Sequence, residues 1–340
     1  MIVIPKIRLS PIPYLDERII EVMENNMLVV GPHIKIFEEG LADCFGFNFA
    51  NTTSNGFSAL FLALKSLNLQ KAKVIVPAVS TCQSITNAVL ANGFEVVFCD
   101  IDPYHLSLSE KALDFLSMTE SFNAIIAPSH FGIPAPITIF KKYGVPVIED
   151  ACQAFFTRTT IKSPADVMVL SFYPTKQFNC IDGGVVLHNS SEKAHIIEDI
   201  RYYDNQKSYD GKARFNFRLP NLNAALGCLK LDQVETERDR LLELRNLYIK
   251  GINQKKLILP TQKDVGVIPW RFLIKSNEPN LYENLRLTGV QSDREMTYLG
   301  NSLSLKTRFW FDDYQSIPFY SSLQNEEQMF IIFEINKLAL

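Results

Sequence analysis

The chain has 340 residues, of which 47% are hydrophobic and 21% charged, with a formal net charge of −3. That length exceeds what one small core requires and predicts a large domain with a smaller one beside it. The balanced charge gives no electrostatic basis for holding nucleic acid or an anionic membrane surface.

The opening residues, MIVIPKIR, lack the apolar stretch and small-residue cleavage site of a signal peptide. No uninterrupted apolar run approaches the roughly 20 residues that a membrane-spanning helix needs. A cytoplasmic protein without membrane or nucleic-acid partners is therefore expected. Cys44, Cys82, Cys99, Cys152, Cys180 and Cys228 are scattered without a CxxC pair. That spacing argues against a structural zinc site or a disulfide framework, and most of them read as small buried hydrophobes.

Between residues 52 and 190 short apolar runs alternate with helix-like stretches. Asn55, Gly56, Phe57 and Ser58 open a helix over 58–67, with Leu60, Phe61, Leu64 and Leu67 on one face. Its free amides and positive dipole end suit a phosphate, although an ordinary helix start explains the segment equally well. A buried strand over 74–77 follows, ended by proline, then a helix over 83–91 stopped by Asn92 and Gly93. Further strands are predicted at 95–100, 124–127, 146–149, 167–172 and 184–188. Strands alternating with helices imply crossover connections, hence an α/β fold with a mostly parallel central sheet covered on both faces.

Ligands of such sheets gather at the carboxyl ends of the strands. The polar residues placed there are 54–58, Thr81, Asp100, His130, Asp150, Gln153 and 171–176. Asp150 could pair with a protonated heterocyclic nitrogen or simply cap a helix. Lys176, 26 positions later (176 − 150), sits where partial desolvation would make an amine nucleophilic, and a solvated loop lysine is the plainer alternative. Gly183 and Gly184 permit a tight turn or close backbone approach, and Ser171 adds a hydroxyl. An anion site, an acid for a ring nitrogen and an amine for an aldehyde are together what pyridoxal 5′-phosphate (PLP) requires.

Residues 221–251 read as one long amphipathic helix bridging to the second domain. A strand over 268–274 and a terminal helix over 326–340 follow. The expected division is a large cofactor domain over 12–235 and a small α/β domain over 236–340, with residues 1–11 packed against the latter.

The ordered segments resemble the DegT/DnrJ/EryC1/StrS family of PLP-dependent sugar aminotransferases. The likeness runs through SNGFSAL (54–60), VP (76–77), FCDID (98–102), HFG (130–132), EDACQA (149–154), SFYPTK (171–176), GG (183–184), FNFR (215–218) and AA (224–225). It implies the type I PLP-dependent aminotransferase fold. It also implies transfer of an amino group from a donor, by analogy glutamate, to a nucleotide-linked keto-sugar for surface polysaccharide or other amino-sugar synthesis.

By that resemblance Lys176 is the Schiff-base lysine and proton shuttle, Asp150 holds the pyridinium proton, and Gln153 lies near the phenolic oxygen. Ser171, Asn55 and the amides of Gly56 and Phe57 form the phosphate segment. Asn216 reaches the phosphate of a neighbouring subunit, making a homodimer with composite sites. Two positions depart from the pattern. Phe57 replaces a threonine, leaving only its amide for the phosphate, and Thr81 stands where an aromatic side chain stacks on the ring.

A sugar dehydratase of the same fold would carry histidine in place of Lys176. A decayed PLP-binding regulator is the alternative from another class. A nicotinamide-dependent reading lacks its G-x-G-x-x-G fingerprint.

Overall fold

A computed structural model describes residues 3–205, 210–253, 257–258, 264, 266–276, 278, 280–294, 297–299 and 314–338. Helices α1 (Leu15–Glu24) and α2 (Pro32–Phe45) precede strand β1 (Phe49–Thr53). Then follow α3 (Gly56–Lys65), β2 (Lys73–Pro77), the short β3 (Val79–Ser80), α4 (Ser84–Ala91), β4 (Glu95–Cys99) and α5 (Glu110–Thr119). The run continues with β5 (Ala124–Pro128), α6 (Ile137–Phe140), β6 (Val147–Asp150), α7 (Phe155–Thr160), β7 (Val167–Ser171), β8 (Gly184–His188) and α8 (Ser191–Arg201).

These strands build a seven-stranded sheet in the order β1-β8-β7-β6-β5-β2-β4. From β7 to β4 every pairing is parallel, because each connection returns through a helix. No helix separates β7 from β8, and β8 accordingly runs antiparallel to β7 and to β1. All five residues of β5 and all four of β6 are buried, as expected of strands covered on both faces. Leu60, Leu64, Ile85, Val89 and Ile197 cover one face, and Leu113, Leu116, Ile137 and Phe140 part of the other. The α/β class and the mostly parallel sheet expected from the sequence are both present.

The long helix expected over 221–251 is two helices, α9 (Asn221–Leu231) and α10 (Val234–Gly251), separated by a turn at Asp232 and Gln233. The break lets each half serve a different neighbour. Gly227 of α9 lies against the Phe37 ring of α2, so close that a Cβ would come within 2.5 Å of it.

The chain then forms β9 (Leu257–Ile258), β10 (Phe272–Ser276), α11 (Leu281–Leu287), β11 (Thr297–Tyr298), β12 (Tyr314–Ile317) and α12 (Asn325–Leu338). Helix α10 packs on α12, where Gln328 Nε2 donates to the Leu244 carbonyl at 2.6 Å. β12, β10 and β9 make a second, antiparallel sheet. The strand expected over 268–274 begins only at Phe272. The backbone of Ile268 is bonded instead to the Thr157 side chain, its N–H donating at 2.9 Å. The expected terminal helix ends at Leu338 among the described residues, with 339–340 outside them.

Near the N-terminus Ile4 exchanges backbone hydrogen bonds with Gly289 and Gln291. Lys6 pairs with Asp293 at 2.6 Å and Arg8 with Glu327 at 2.8 Å. Among the described residues no helix is long and apolar enough to cross a membrane, and no cluster of side chains fits a metal ion. Cys99 and Cys180 are buried as expected of small hydrophobes. Cys44, Cys152 and Cys228 are half-buried, and Cys82 is exposed because it lies on the rim of a cleft rather than within an element.

Candidate active site

Helix α3 starts beside the end of β7. Asn55 caps it, its Oδ1 accepting from the Ser58 N–H at 2.9 Å. The cap leaves the amides of Gly56 and Phe57, which have no partner within the helix, at the positive end of the dipole. A Cβ on Gly56 would lie 2.8 Å from Ser171 Cβ and 3.0 Å from Ser171 Oγ. A Cβ on Gly184 would lie 2.6 Å from the Asn55 carbonyl oxygen. Both glycines therefore follow from the close approach of α3 to β7 and β8. The result is a concave group of amide donors next to a serine hydroxyl.

At the end of β6, Asp150 is 8% exposed and its Oδ1 accepts from the Cys152 N–H at 3.1 Å. Its neighbour Glu149 is wholly buried in a closed network. Arg158 Nε donates to Glu149 Oε1 at 2.7 Å, and the hydroxyls of Ser129 and Ser163 donate to the same carboxylate. His130 is also buried. Its Nδ1–H donates to the Leu106 carbonyl at 2.6 Å, leaving Nε2 to accept from the Ser80 hydroxyl at 3.0 Å. Burial pushes the His130 imidazole pKa down and the Lys176 charge pushes the same way, against the pull of the Leu106 carbonyl and of Asp150.

Lys176 lies on the loop from β7 to β8, which sends Phe172 and Phe178 into the core. Phe155 stacks on Phe178 at 4.3 Å, and Phe172 meets Phe178 edge-on at 5.5 Å. The Lys176 amine sits 4.8 Å from the centre of the Trp270 ring. Trp270 Nε1–H donates to the Thr175 carbonyl at 3.0 Å, fixing the indole to the residue before the lysine. The Arg271 guanidinium lies over the same indole at 4.5 Å. Gln153 is committed on both sides of its amide. Its Oε1 accepts from the Phe131 N–H at 2.8 Å and its Nε2 donates to Thr81 Oγ1.

These groups enclose an open cleft of about 480 Å³, lined by Asn55, Gly56, Phe57, Thr81, Asp150, Ser171 and Lys176 among others. That volume falls within the ~300–1,000 Å³ usual for ligand pockets. Seven of the nine sequence-predicted site residues thus meet in one place. Gln153 stands behind Thr81, and Asn216 is exposed on a segment bridged to Tyr202 and does not line the cleft of its own chain.

The sequence reading missed Trp270 and Arg271 as cleft residues, together with Cys82 and Asp182, whereas Tyr173 lies in the 171–176 stretch it singled out. Burial raises the Asp182 carboxyl pKa, against the Gly183 N–H that donates to it at 2.8 Å. Adjacency to the two glycines was the signal for Asp182. Nothing local announces a tryptophan 94 positions beyond the lysine (270 − 176).

A sequence profile of the DegT/DnrJ/EryC1/StrS aminotransferase family matches residues 14–332. The chain belongs to that family. Among its relatives is the spore coat polysaccharide biosynthesis protein SpsC of Bacillus subtilis, 26% identical over 326 residues, 89% of this chain and 82% of that one. GDP-perosamine synthase of Escherichia coli O157:H7 is 25% identical over 343 residues, covering 90% of each chain. The crystal structure of DesV from S. venezuelae has the same fold, with a TM-score of 0.89 at 23% identity over 100% of this chain and 99% of that one.

As a DegT/DnrJ/EryC1/StrS member the chain is a PLP-dependent sugar aminotransferase with the fold of that family, as the sequence led one to expect. Its residues fit the cofactor. The glycine-lined amide cradle suits a phosphate, the nearly buried Asp150 carboxylate a protonated ring nitrogen, and the Lys176 amine an aldehyde.

Proposed function

We propose that the chain transfers an amino group from glutamate to a nucleotide-linked keto-sugar, for surface polysaccharide or other amino-sugar synthesis. The observation that carries this reading is the meeting of Lys176, Asp150 and the start of α3 at one mouth of the sheet.

PLP, when bound, supplies an aldehyde for the amino group and a ring that disperses negative charge. The amides of Gly56 and Phe57, with the Ser171 hydroxyl and the capped Asn55 turn, hold its phosphate. Asp150 keeps a proton on the ring nitrogen. Gln153 acts near the phenolic oxygen through the Thr81 side chain that it fixes. Lys176 would hold the cofactor through its amine, and the same amine would serve as the base that moves a proton at the donor Cα. Trp270 defines where that amine rests.

A homodimer with composite sites belongs to the same reading. Ile20, Met23, Met27, Leu28, Val29, Val30 and Ile36 are 41–62% exposed. The backbone of 27–29 is nevertheless fixed, with Asn221 Nδ2 donating to the Met27 carbonyl at 2.7 Å and Asn221 N–H to the Val29 carbonyl at 3.1 Å. A rigid apolar ridge of this kind suits a second copy of the chain, and the exposed Asn216 suits a role across that contact. The division at residue 235 is supported by the turn before α10, and the place of residues 1–11 by the Lys6–Asp293 and Arg8–Glu327 pairs. Six free thiols favour a reducing compartment, the cytoplasm.

Borohydride reduction of the PLP-loaded protein followed by peptide mapping is expected to place the pyridoxyl label on Lys176. Lys176→Ala is expected to cut turnover of keto-sugar nucleotides with glutamate by at least ~10³-fold while the protein stays folded. A label on another lysine, or undiminished turnover, would overturn the assignment.

A further inference from the structure

The stretch ahead of β10 is pinned residue by residue. The Ile268 N–H donates to Thr157 Oγ1 at 2.9 Å, Gln177 Nε2 donates to the Pro269 carbonyl, and Trp270 Nε1–H donates to the Thr175 carbonyl at 3.0 Å. On the other side Phe272 is wholly buried, its ring 4.7 Å from that of Tyr248 and 6.0 Å from that of Phe319. Arg271 sits between these anchors, is 5% exposed and lines the cleft that holds Lys176. Its backbone is therefore set from both sides before any ligand arrives.

The Arg271 guanidinium lies over Trp270, 4.5 Å from the ring centre, and the Lys176 amine is 4.8 Å from the same centre. The two cations are thus no more than 9.3 Å apart (4.5 + 4.8). A guanidinium is always charged and offers its N–H donors in its own plane. Contact with the indole restrains the group, and an oxyanion arriving in that plane can take two parallel hydrogen bonds. Near-complete burial keeps water away and strengthens such a pair.

The cofactor's own groups are already provided for, the phosphate by the start of α3 and Ser171, the ring nitrogen by Asp150 and the aldehyde by Lys176. A cation beside the lysine faces whatever brings nitrogen to it. An amino acid with its nitrogen at that amine carries a carboxylate on the adjacent carbon, and a guanidinium–carboxylate hydrogen bond of about 2.8 Å fits within the span between the two cations. The keto-sugar enters at the same place, but its diphosphate is separated from the reacting carbonyl by the sugar ring. We propose that Arg271 binds a carboxylate of the amino donor and so selects an amino acid for the first half of the reaction. The inference rests on the aminotransferase reading with glutamate as donor and gives that donor its recognition residue. Trp270 is the positioning residue, holding guanidinium and amine against one ring.

The test reads binding without turnover and then each half of the reaction separately. Glutarate, which has the carboxylates of glutamate but no amino group, is titrated calorimetrically into the PLP-loaded protein. Arg271→Gln is expected to weaken it about 10- to 100-fold and to leave PLP uptake unchanged. The glutamate concentration giving half the maximal rate of bleaching of the visible PLP band should rise by the same factor. The keto-sugar nucleotide concentration needed by the pyridoxamine phosphate-loaded protein should not change. Glutamine keeps the α-carboxylate and lacks the acidic side chain. Equal rises for glutamine and glutamate assign the α-carboxylate to Arg271, a rise confined to glutamate assigns the side-chain carboxylate, and either supports the proposal.

Unchanged glutarate affinity together with an unchanged glutamate requirement overturns it. So does an equal rise in the glutamate and keto-sugar requirements, which marks a cleft disturbed as a whole. Arg271→Lys keeps the charge but loses the planar fork, and is expected to fall between wild type and Arg271→Gln. It also serves should the glutamine variant fold poorly. Wild-type protein whose visible band glutamate does not bleach would instead sink the reading of glutamate as donor.

Discussion

Glu149 and Asp150 are neighbours in the chain, and the alternation of β6 sends their side chains to opposite sides. Glu149 meets Arg158, Ser129 and Ser163 and is closed off from ligands, whereas Asp150 lines the cleft. His188 shows the same dependence on partners. Its ring stacks on Phe49 at 5.6 Å, Nε2–H donates to Asn51 Oδ1 at 3.0 Å, and Nδ1 accepts from the Ser190 N–H at 3.3 Å. That pattern needs the neutral ring, and burial pushes its pKa down to about 4. An unfolded histidine titrates near ~6.5, so the unfolded chain binds the extra proton first as pH falls. The stability His188 gives is complete above about 6.5 and is lost on descent through 4, by on the order of 2–3 kcal/mol. Urea unfolding at pH 7 and pH 4.5 should show a smaller pH loss in His188→Gln than in wild type.

The strands of the central sheet were readable because strands buried on both faces appear as unbroken apolar runs, as in β5 and β7. The loop bearing Lys176 was readable for the same reason, since it starts where such a run ends. The α9–α10 break was not, because leucines recur at helical spacing straight through Asp232 and Gln233. What divides the two is tertiary, α9 lying on α2 and α10 on α12. Gly227 marks that contact. A glycine inside a helix normally costs about 1 kcal/mol relative to alanine, yet here a methyl would press into the Phe37 ring. Gly227→Ala is expected to lose about 1–3 kcal/mol rather than gain stability, measured as a lower urea midpoint at unchanged slope. A rise in the midpoint would show that α2 and α9 have room to separate.

Trp270 reaches the cleft only because the chain before β10 is docked on the large sheet. Gly132, with φ +84°, comes so near that a Cβ there would lie 2.0 Å from the Ile268 carbonyl oxygen. On the same stretch Gln177 Nε2 donates to the Pro269 carbonyl. No sequence pattern encodes a contact between residues so far apart in the chain, which is why Trp270 escaped the sequence reading. Gly132→Ala adds both a strained backbone and a collision with backbone, for an expected loss of about 2–4 kcal/mol. It should also displace the indole from Lys176 and weaken PLP binding. Absorbance titration with PLP alongside urea unfolding checks both, and wild-type values in each would contradict the docking described.

Of the successive strands from β4 to β8, only β7 and β8 are joined without an intervening helix, and they lie side by side in the large sheet, second and third from its β1 edge and each paired on both sides. The lysine loop is therefore stapled at both ends to the region whose amide protons should exchange last, only when the whole domain opens. Such a loop has no low-energy way to peel outward. Vitamin B6 must then enter and leave past a nearly stationary amine, through the mouth of the cleft, and its residence time should report on that mouth rather than on fraying of the chain that anchors it.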